Sequence, residues 1–398
     1  MRFADFVQIN PKVALKRNFS HPCVMMEDIT PGYRYVNSPR AKEFKGGSVF
    51  ESGDTLFARI TPCLENGKIA QYVGEPAFGS TEFIVFRGKP GISDNNFIFY
   101  LAITDIIRKP AEKSMFGASG RQRADINVIS EIDISFIPFP IQCKIAAVLC
   151  AYDDLIENNT RRIRILEEMA QAIYHEWFVY FRFPGHEGVR MVESPLGLIP
   201  EGWEVKNLFN VAEITYGYPF NSSFFSNEPE GMQVIRIRDI PNNSTSTYTT
   251  ESAIKNKYKA NQGDILIGMD GNFHMCKWAG GEAWLNQRVT RLRTKPNSIP
   301  QCLLFLLIQP KIRELNATIV GTTVAHLGDN HLREILLLIP SDSVNRMCHE
   351  IFDPILRSEI ILRQKNTILR AQRDLLLPRL VSGELDVEGI MPEIKVEP

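Results

Sequence analysis

Two ten-residue stretches decide the organisation of this chain: ESGDTLFARI at residues 51–60 and NQGDILIGMD at residues 261–270. Each places a Gly-Asp pair, which favours a tight turn, before an apolar run of strand-like composition. A second pair of similar segments follows, with DISFIPFP at 133–140 and EILLLIPS at 334–341. Similarity between two halves of a chain over such a long interval predicts one structural plan used twice.

Each copy of the plan ends in a long helical pattern. Within residues 142–183 the apolar positions alternate at spacings of four and three, as in a coiled-coil seam, and Asn159 is the polar member of that seam. Residues 342–385 place apolar doublets seven residues apart. In this second helix Pro354 predicts a kink or a late start, and Pro378 predicts the end.

The first helix is predicted to be about 50 Å long, too long for one side of a compact domain to bury. Each helix is therefore the natural partner of the other, and the alternative is that the two belong to separate cores. The positions predicted for helix–helix packing are Ile156, Ile163, Leu166, Ile173, Leu362, Leu369 and Leu376.

The rest of the chain reads as two domains of mixed composition. Residues 1–141 and 203–341 combine short β-rich runs with short helical ones, so each is predicted to be an α+β domain. Glycine and proline recur at short intervals in residues 184–202, which predicts a linker. Residues 386–398 are predicted to form a tail after the second long helix.

Composition excludes several classes of protein. The 398 residues are 44% hydrophobic and 23% charged with a net charge of -1, which is typical of a globular protein. No apolar run is long enough to cross a bilayer and the N-terminus has no secretion signal, so we expect a cytoplasmic location. The seven cysteines form no C-x-x-C pair, which favours reduced thiols over disulfides or structural zinc. The net charge does not favour nucleic-acid binding but leaves room for a local basic patch.

Motifs for catalysis are missing from the sequence. It contains no phosphate-binding loop of the G-x-x-x-x-G-K-[ST] type, no G-x-G-x-x-G, no H-E-x-x-H and no G-x-S-x-G. We therefore predict no catalytic residue and no metal site on this chain.

Polar, glycine-rich segments occur in both halves. The first half has RITPCLENGKIA (59–70), GSTEF (79–83) and GASGRQR (117–123), and the second has GMDGNFHMCKW (268–278), LNQRV (285–289) and VGTTVAHL (320–327). Arginine can donate two hydrogen bonds to guanine, asparagine and glutamine can do so to adenine, and Ser, Thr and Lys suit phosphates. Each segment alone can also be an ordinary polar turn. The predicted DNA-binding residues are Arg59, Lys68, Thr81, Arg121, Gln122, Arg123, Asn272, Lys277, Asn286, Gln287, Arg288, Thr322 and Thr323.

These segments resemble the specificity subunits of type I restriction-modification systems. RITPCLENGKIA, GSTEFIVF and GASGRQR resemble one class of the family's first target recognition domain, and SPLGLIPEGWEV followed by YGYPFNSSFF, VIRIRDI, GDILIGMDG and LNQRV resembles a second. RILEEMAQAIYHEWFVYF resembles the central helical region of the family and RDLLLPRLVSGELDV the C-terminal one. The two helical regions are not close copies of each other, which puts exact pseudo-symmetry in doubt.

The resemblance implies a fold and a function. Two target recognition domains in a pseudo-two-fold repeat would be joined by two long antiparallel coiled-coil helices, and each domain would read one half of a bipartite target in double-stranded DNA. The helices would set the spacer between the half-targets and dock two methyltransferase subunits, with Trp177 and Phe178 as anchors. S-adenosylmethionine would belong to the methyltransferase subunits, and ATP and Mg²⁺ to motor-nuclease subunits of the complex.

Two other interpretations stay open at this point. The chain could be a nuclease or methyltransferase in its own right, or an orphan DNA-binding or scaffold protein without an active methyltransferase partner.

Overall fold

The N-terminal and C-terminal parts of the chain fold into the same unit. The computed structural model describes residues 1–36, 39–117, 121–251, 255–319, 325–387 and 389. Unit 1 comprises Met1–Glu157 and Ile368–Pro398, and unit 2 comprises Asn158–Thr367. The division therefore passes through both long helices, whereas the sequence predicted each helix as a segment separate from the domains.

Unit 1 mixes short strands with helices. Its strands are β1 (Val7–Ile9), β2 (Ser20–Val24), β3 (Arg40–Glu43), β4 (Ser48–Phe50), β5 (Thr55–Ala58), β6 (Ile69–Gln71), β7 (Ala77–Gly79) and β8 (Phe83–Gly88). Its helices are α1 (Phe3–Phe6), α2 (Asn95–Ile103), α3 (Asp105–Lys113), α4 (Ile126–Ser130), the first part of α5 (Phe139–Tyr174) and the end of the second long helix from Ile368. A 3₁₀ turn covers Met26–Asp28.

Two four-stranded sheets form the frame of unit 1. One has the order β1-β8-β5-β6 and is antiparallel throughout, and the other has the order β3-β2-β7-β4 with β2 and β7 parallel. Helix α2 begins where the Asp94 carboxylate accepts the Phe97 backbone N–H at 2.8 Å. Its buried residues join an aromatic-rich core in which the rings of Phe3 and Phe86 meet edge to face, 5.1 Å apart.

A buried carboxylate fixes the first of these sheets. Asp54 is fully buried at the start of β5, and both of its oxygens accept hydrogen bonds from Arg87 of β8 at 2.7 Å. The same side chain accepts the Glu51 backbone N–H at 2.8 Å, which closes the turn before the strand. A buried charge needs such partners to offset the loss of hydration, so the turn and the strand pair stabilise each other.

Unit 2 contains more strands. They are β9 (Met191–Ser194), β10 (Gly197–Pro200), β11 (Glu204–Asn207), β12 (Ala212–Tyr216), β13 (Phe225–Ser226), β14 (Met232–Ile235), β15 (Tyr248–Thr249), β16 (Lys259–Ala260), β17 (Ile265–Gly268), β18 (Met275–Lys277), β19 (Ala283–Leu285), β20 (Val289–Thr294) and β21 (Leu336–Ile339). The helices are the end of α5 with a π turn at His175–Val179, α6 (Leu208–Val211), α7 (Gln301–Thr318), α8 (Asp329–Arg333) and most of α9 (Asp342–Val381). Short 3₁₀ turns cover Ser222–Phe224, Ile237–Asp239 and Asn256–Tyr258.

The sheets of unit 2 follow the plan of unit 1. The order β12-β20-β17-β18 matches β1-β8-β5-β6, and in the second sheet β14 and β19 are parallel, as are β2 and β7. Asp264 starts β17 as Asp54 starts β5: it accepts two hydrogen bonds from Arg293 at 2.7 Å and the Asn261 backbone N–H at 2.7 Å. The twofold repeated α+β plan is therefore confirmed, down to this buried ion pair.

The segment predicted as a linker is part of unit 2. Strands β9 and β10, within residues 184–202, form an antiparallel hairpin whose turn uses a positive φ at Gly197. Ile199 and Trp203 are buried in the main core of the unit. The glycines and prolines thus mark a tight turn, while the apolar residues between them pack as structure.

The helix ends differ from the sequence prediction. Helix α5 begins at Phe139, three residues early, and gives way to the π turn after Tyr174. Helix α9 runs from Asp342 to Val381 with Pro354 inside it, so a late start at this proline is wrong. Pro378 lies in the last turn and its carbonyl accepts the Ser382 N–H at 3.0 Å, so the helix ends just beyond the proline.

No helix among the described residues is long and apolar enough to span a membrane.

The two long helices meet in both units through polar pairs within an apolar seam. In unit 1, Arg373 of α9 forms an ion pair with Asp153 of α5, whose other oxygen accepts the Tyr100 hydroxyl at 2.6 Å. In unit 2, Asn159 donates to Asn366 at 2.9 Å. Arg363 bridges Glu359 at 3.0 Å and Glu167 at 2.6 Å.

Apolar residues fill the rest of the seam. The structure buries Ile156, Ile163 and Leu362, and partly buries Leu166, Ile173, Leu369 and Leu376. Within unit 2 the contacts of α5 rise along the chain while those of α9 fall, from Asn159–Asn366 to Glu167–Arg363, so the helices are antiparallel there. The first residue of each apolar doublet in α9 is exposed: Ile361, Ile368 and Leu375.

We predict that the Asn159–Asn366 hydrogen bond couples the two helices. Asn159→Leu and Asn366→Leu should each lower the free energy of unfolding by about 1–2 kcal/mol, because each leaves a carboxamide in an apolar seam without its partner across the pair. The double variant should lose less than the sum of the two. Urea unfolding of the full chain measures this.

Asn158→Leu is the matched control, since this side chain is exposed on the same helix. Strictly additive losses in the double variant would contradict the coupling.

Candidate nucleic-acid interface

Three loops of unit 1 meet at the ends of strands β5 and β7. We call residues 59–68, 79–83 and 121–124 the unit 1 loop cluster. Arg59 N–H donates to the Glu82 carbonyl at 3.0 Å, and Ala124 N–H donates to the Arg59 carbonyl at 2.8 Å. The glycine of the GSTEF segment allows the tight approach of β7 to β2, because a Cβ at Gly79 would lie 2.4 Å from the Val24 carbonyl oxygen.

A carboxylate stands at the centre of this cluster. Glu82 accepts three hydrogen bonds from Arg123, at 2.6, 2.8 and 3.0 Å, and one from Arg59 at 3.2 Å. The hydrogen bonds from Arg123 lower the pKa of Glu82 below its ordinary value; partial burial opposes this, and Arg59 adds to it. Arg59, Arg123 and Glu82 together give this centre a net positive charge at neutral pH.

The other residues predicted in this half surround that centre. Gln122 lies next to Arg123, and its backbone carbonyl accepts the Thr61 N–H at 3.0 Å. Lys68 donates from its ammonium group to the Met26 carbonyl at 2.5 Å and is half-buried. Thr81 and Arg121 are exposed. The structure therefore brings the six predicted residues of unit 1 into one cluster of loops.

Unit 2 builds an equivalent set of loops. We call residues 269–274, 286–289 and 325–327 the unit 2 loop cluster. Met269 N–H donates to the Arg288 carbonyl at 3.0 Å, and Leu327 N–H donates to the Met269 carbonyl at 2.7 Å. These two bonds repeat the pattern of Arg59 with its partners in unit 1. By this pattern Arg288 takes the place of Glu82.

The charges at the equivalent positions differ between the two units. In unit 2 the carboxylate is Asp270, which contacts the Nε atom of Arg288 at 3.1 Å and the Nδ1 atom of His326 at 2.6 Å. Asp270 and His326 form an isolated antiparallel bridge, as do Ile60 and Arg123 in unit 1. The two units therefore hold different polar side chains on the same backbone frame.

Three more predicted residues of unit 2 belong to this cluster. Asn272 and Gln287 are exposed, and Asn286 is half-buried with its side-chain oxygen accepting the Gln287 N–H at 2.7 Å. Thr322 and Thr323 lie outside the described residues.

Comparison with known proteins identifies the family. The model of the type I restriction modification DNA specificity domain matches residues 9–168 and again residues 200–370. The chain belongs to the type I restriction-modification DNA specificity family. Each matched range contains one of the two loop clusters. The family model therefore covers both halves of the repeat.

Named relatives agree with this assignment. The chain is 26% identical over 385 residues to the MjaIX specificity subunit of Methanocaldococcus jannaschii, an alignment that covers 93% of this chain and 88% of the relative. It is 31% identical over 194 residues to the EcoBI specificity subunit of Escherichia coli, which covers 48% of this chain but only 41% of the relative. The crystal structure of the S subunit from M. genitalium has the same fold, with a TM-score of 0.57, 16% identity and coverage of 96% and 95% of the two chains.

The prediction that Lys277 of this specificity-family chain binds DNA is wrong. Lys277 is buried, with its side chain 7% exposed, and forms an ion pair with Glu359 of α9. It lies in strand β18, where alternate side chains point toward the core, and the acidic partner offsets the cost of burying its charge. Lys277 therefore holds the sheet against the helix and does not face solvent.

The two aromatic anchors predicted for a partner subunit are also wrong. Trp177 and Phe178 are both buried in the core of unit 2, and the ring of Phe178 packs 5.1 Å from that of Trp203. Trp177 is only 9% exposed and Phe178 only 6%, so neither offers a surface to a partner. The next two side chains, Val179 and Tyr180, are exposed.

Sequence reasoning missed the acidic and histidine members of the clusters. Glu82, Asp270 and His326 stand inside the quoted segments, but a search for donors to bases and phosphates passes over carboxylates. It also missed a basic edge of unit 1: every residue of β3 is exposed, and the strand carries Arg40 and Lys42. The alternation of cations in RAKE at residues 40–43 is the sequence signal that could have indicated this basic edge.

We predict that Glu82 stabilises unit 1 in a pH-dependent way. Since its pKa is lowered in the folded state, its contribution is present above the ordinary value of 4.5 and is lost as the pH falls through the folded-state pKa. Glu82→Gln should therefore lower the urea midpoint at pH 7, and the difference from the parent chain should shrink at about pH 3.

Glu131→Gln is the control, because this carboxylate pairs with Arg2 with both side chains more than half exposed. A difference between Glu82→Gln and the parent of equal size at both pH values would contradict the role of the charge.

Proposed function

We propose that the chain is the DNA specificity subunit of a type I restriction-modification complex and that each unit reads one half of a bipartite target. The observation that carries this proposal is the pair of loop clusters. Their backbone frames are equivalent, yet unit 1 offers Arg59, Glu82 and Arg123 where unit 2 offers Asp270, Arg288 and His326. A common frame with different donors and acceptors is what two readers of different half-targets require.

The proposal also assigns a role in target spacing to the two long helices. Both half-targets lie on one duplex, so the number of unread base pairs between them must fit the rise and rotation of DNA. Helices α5 and α9 each contribute residues to both units, and we propose that their length sets this spacer.

Phosphate contacts fit the exposed cations around the unit 1 loop cluster. Arg40 and Lys42 project from the edge strand β3, and Lys16 and Arg17 are exposed in the loop before β2. Such groups bind any DNA sequence and orient the reader without choosing bases. Lysine on an edge strand also discourages pairing with other chains, so only part of this charge need serve DNA binding.

The proposed division of labour leaves chemistry to partner subunits. Two methyltransferase subunits would bring S-adenosylmethionine and methylate an adenine in each half-target, and motor-nuclease subunits would bring ATP and Mg²⁺. The chain itself would be non-catalytic and would act in the cytoplasm. The alternative of an orphan DNA-binding or scaffold protein differs only in lacking an active methyltransferase partner.

Helix α9 offers the methyltransferase a better docking surface than the buried pair Trp177 and Phe178. Within unit 1, Ile368 and Leu375 lie seven residues apart on this helix and are 57% and 65% exposed. Apolar residues at heptad spacing on a solvent-facing stripe favour the packing of another helix. We propose that a methyltransferase helix covers this stripe.

The proposed function predicts a change in DNA methylation. Deleting the gene from its host should remove methyladenine from both halves of one bipartite motif, which long-read sequencing that detects modified bases would reveal. Restoring the gene should restore the motif. If no methylated motif changes, the orphan or scaffold interpretation is favoured.

The docking proposal predicts a loss of assembly. Ile368→Asp combined with Leu375→Asp should reduce co-purification of the methyltransferase subunit at least tenfold, because charges replace the apolar stripe. Val73→Asp is the control, since Val73 is an equally exposed apolar residue in a loop of unit 1. Equal recovery of the methyltransferase with both variants would contradict the docking surface.

A further inference from the structure

The guanidinium of Arg123 is held on one side only. Its Nε and Nη2 atoms bond the two oxygens of Glu82, while Nη1 has no hydrogen-bond partner among the described residues. The side chain of Arg123 is 45% exposed and that of Glu82 is 17% exposed. The carboxylate therefore lies inside the loop cluster and the free end of the guanidinium faces outward.

The free end has the shape that guanine recognition requires. When one edge of a guanidinium is occupied by a carboxylate, Nη1 and Nη2 still carry one parallel N–H each at the far end. Two parallel donors match the O6 and N7 acceptors of guanine in the major groove. Because Glu82 already fixes the plane, less side-chain entropy is lost when a base binds.

Holding the loop in place does not require this ion pair. Arg123 and Phe116 exchange two backbone hydrogen bonds, at 2.9 and 3.1 Å. The neighbouring Ala124 N–H bonds the Arg59 carbonyl at 2.8 Å, and the Gln122 carbonyl accepts from Thr61. The backbone of residues 121–124 is anchored on both sides of Arg123 by these bonds, so the ion pair adds orientation to a side chain whose Cα is already placed.

The carboxylate also reduces the non-specific attraction of the site. A bare Arg59–Arg123 pair would attract any phosphate, and Glu82 at its centre cancels one of the two charges. The remaining feature of the site is the pair of directional N–H donors on Arg123. Such a pair favours the edge of a base over the phosphates of the DNA backbone.

We infer that Arg123 reads a guanine in the half-target of unit 1 and that Glu82 is the positioning residue that orients it. This inference rests on the proposed function and names the residue pair behind one base of the target. In unit 2 Asp270 contacts Arg288 and His326 from a different position of the frame, so that unit presents different donors and would read a different base pair.

Selection from randomised duplex DNA tests the inference. The full-length chain, assembled with its methyltransferase subunit, is used to capture duplexes that are then sequenced, in parallel for the parent, Arg123→Lys, Glu82→Gln and the control Glu131→Gln. Binding to an unrelated duplex over a range of salt concentrations is measured for the same four proteins.

Arg123→Lys keeps the charge but loses the fork of donors. It should lower the preference for guanine at one position of one half-target by about tenfold and leave the other half-target unchanged. Glu82→Gln should lower the same preference several-fold, yet strengthen binding to the unrelated duplex because a negative charge is gone. Glu131→Gln should select the parent motif.

Three results would overturn the inference. The parent motif could persist in Arg123→Lys, the altered base could lie in both half-targets, or Glu82→Gln could weaken unrelated and selected DNA equally, as expected if Glu82 only supports the fold. A parent complex that selects no bipartite motif would instead overturn the proposed function. Urea unfolding of each variant shows whether a loss of selection comes with a loss of folding.

Discussion

Each unit depends on a buried carboxylate bonded to an arginine of the neighbouring strand. Asp54 with Arg87, and Asp264 with Arg293, join the turn before one central strand to the strand beside it. A buried carboxylate without these donors would cost several kcal/mol, so the turn, the strand pair and the ion pair form together. The loop clusters begin at the opposite end of the same strands, after Ala58 in β5 and after Gly268 in β17. Their position is therefore set by an interaction at the other end of these strands.

The shared frame explains how one chain can serve two targets. Backbone hydrogen bonds fix the loops in both units, so side chains at the tips can differ without changing the fold. The carboxylate has moved from the position of Glu82 in unit 1 to that of Asp270 in unit 2, and the cations have moved with it. Each cluster keeps a carboxylate bonded to an arginine while the pattern of donors changes. Specificity can then diverge between the halves at little cost in stability.

The helix seam shows a similar balance between stability and a defined register of the two helices. Apolar side chains supply most of its burial, but the polar residues Glu359, Asn366 and Arg373 recur every seven residues in α9 and each is at most 4% exposed. Apolar residues at these positions would be at least as stabilising, whereas polar pairs match in only one register. The spacer role proposed for the helices would gain from a single register.

The sequence by itself determined the twofold plan, the α+β class, the two long helices with Asn159 in their seam, and the loop segments that carry the clusters. These features follow from local signals: turn residues before apolar runs, heptad spacing, and glycine-rich polar segments. Only the tertiary structure decided that Glu82 and Asp270 organise the cations, that Lys277 turns inward to Glu359, and that Trp177 is buried and Phe178 packs against Trp203. Periodicity shows which side of an element is buried, but the partner of a charged or aromatic side chain comes from another element far along the chain. That choice depends on how the elements pack, because burial of a charge is tolerated only where an opposite charge lies within reach.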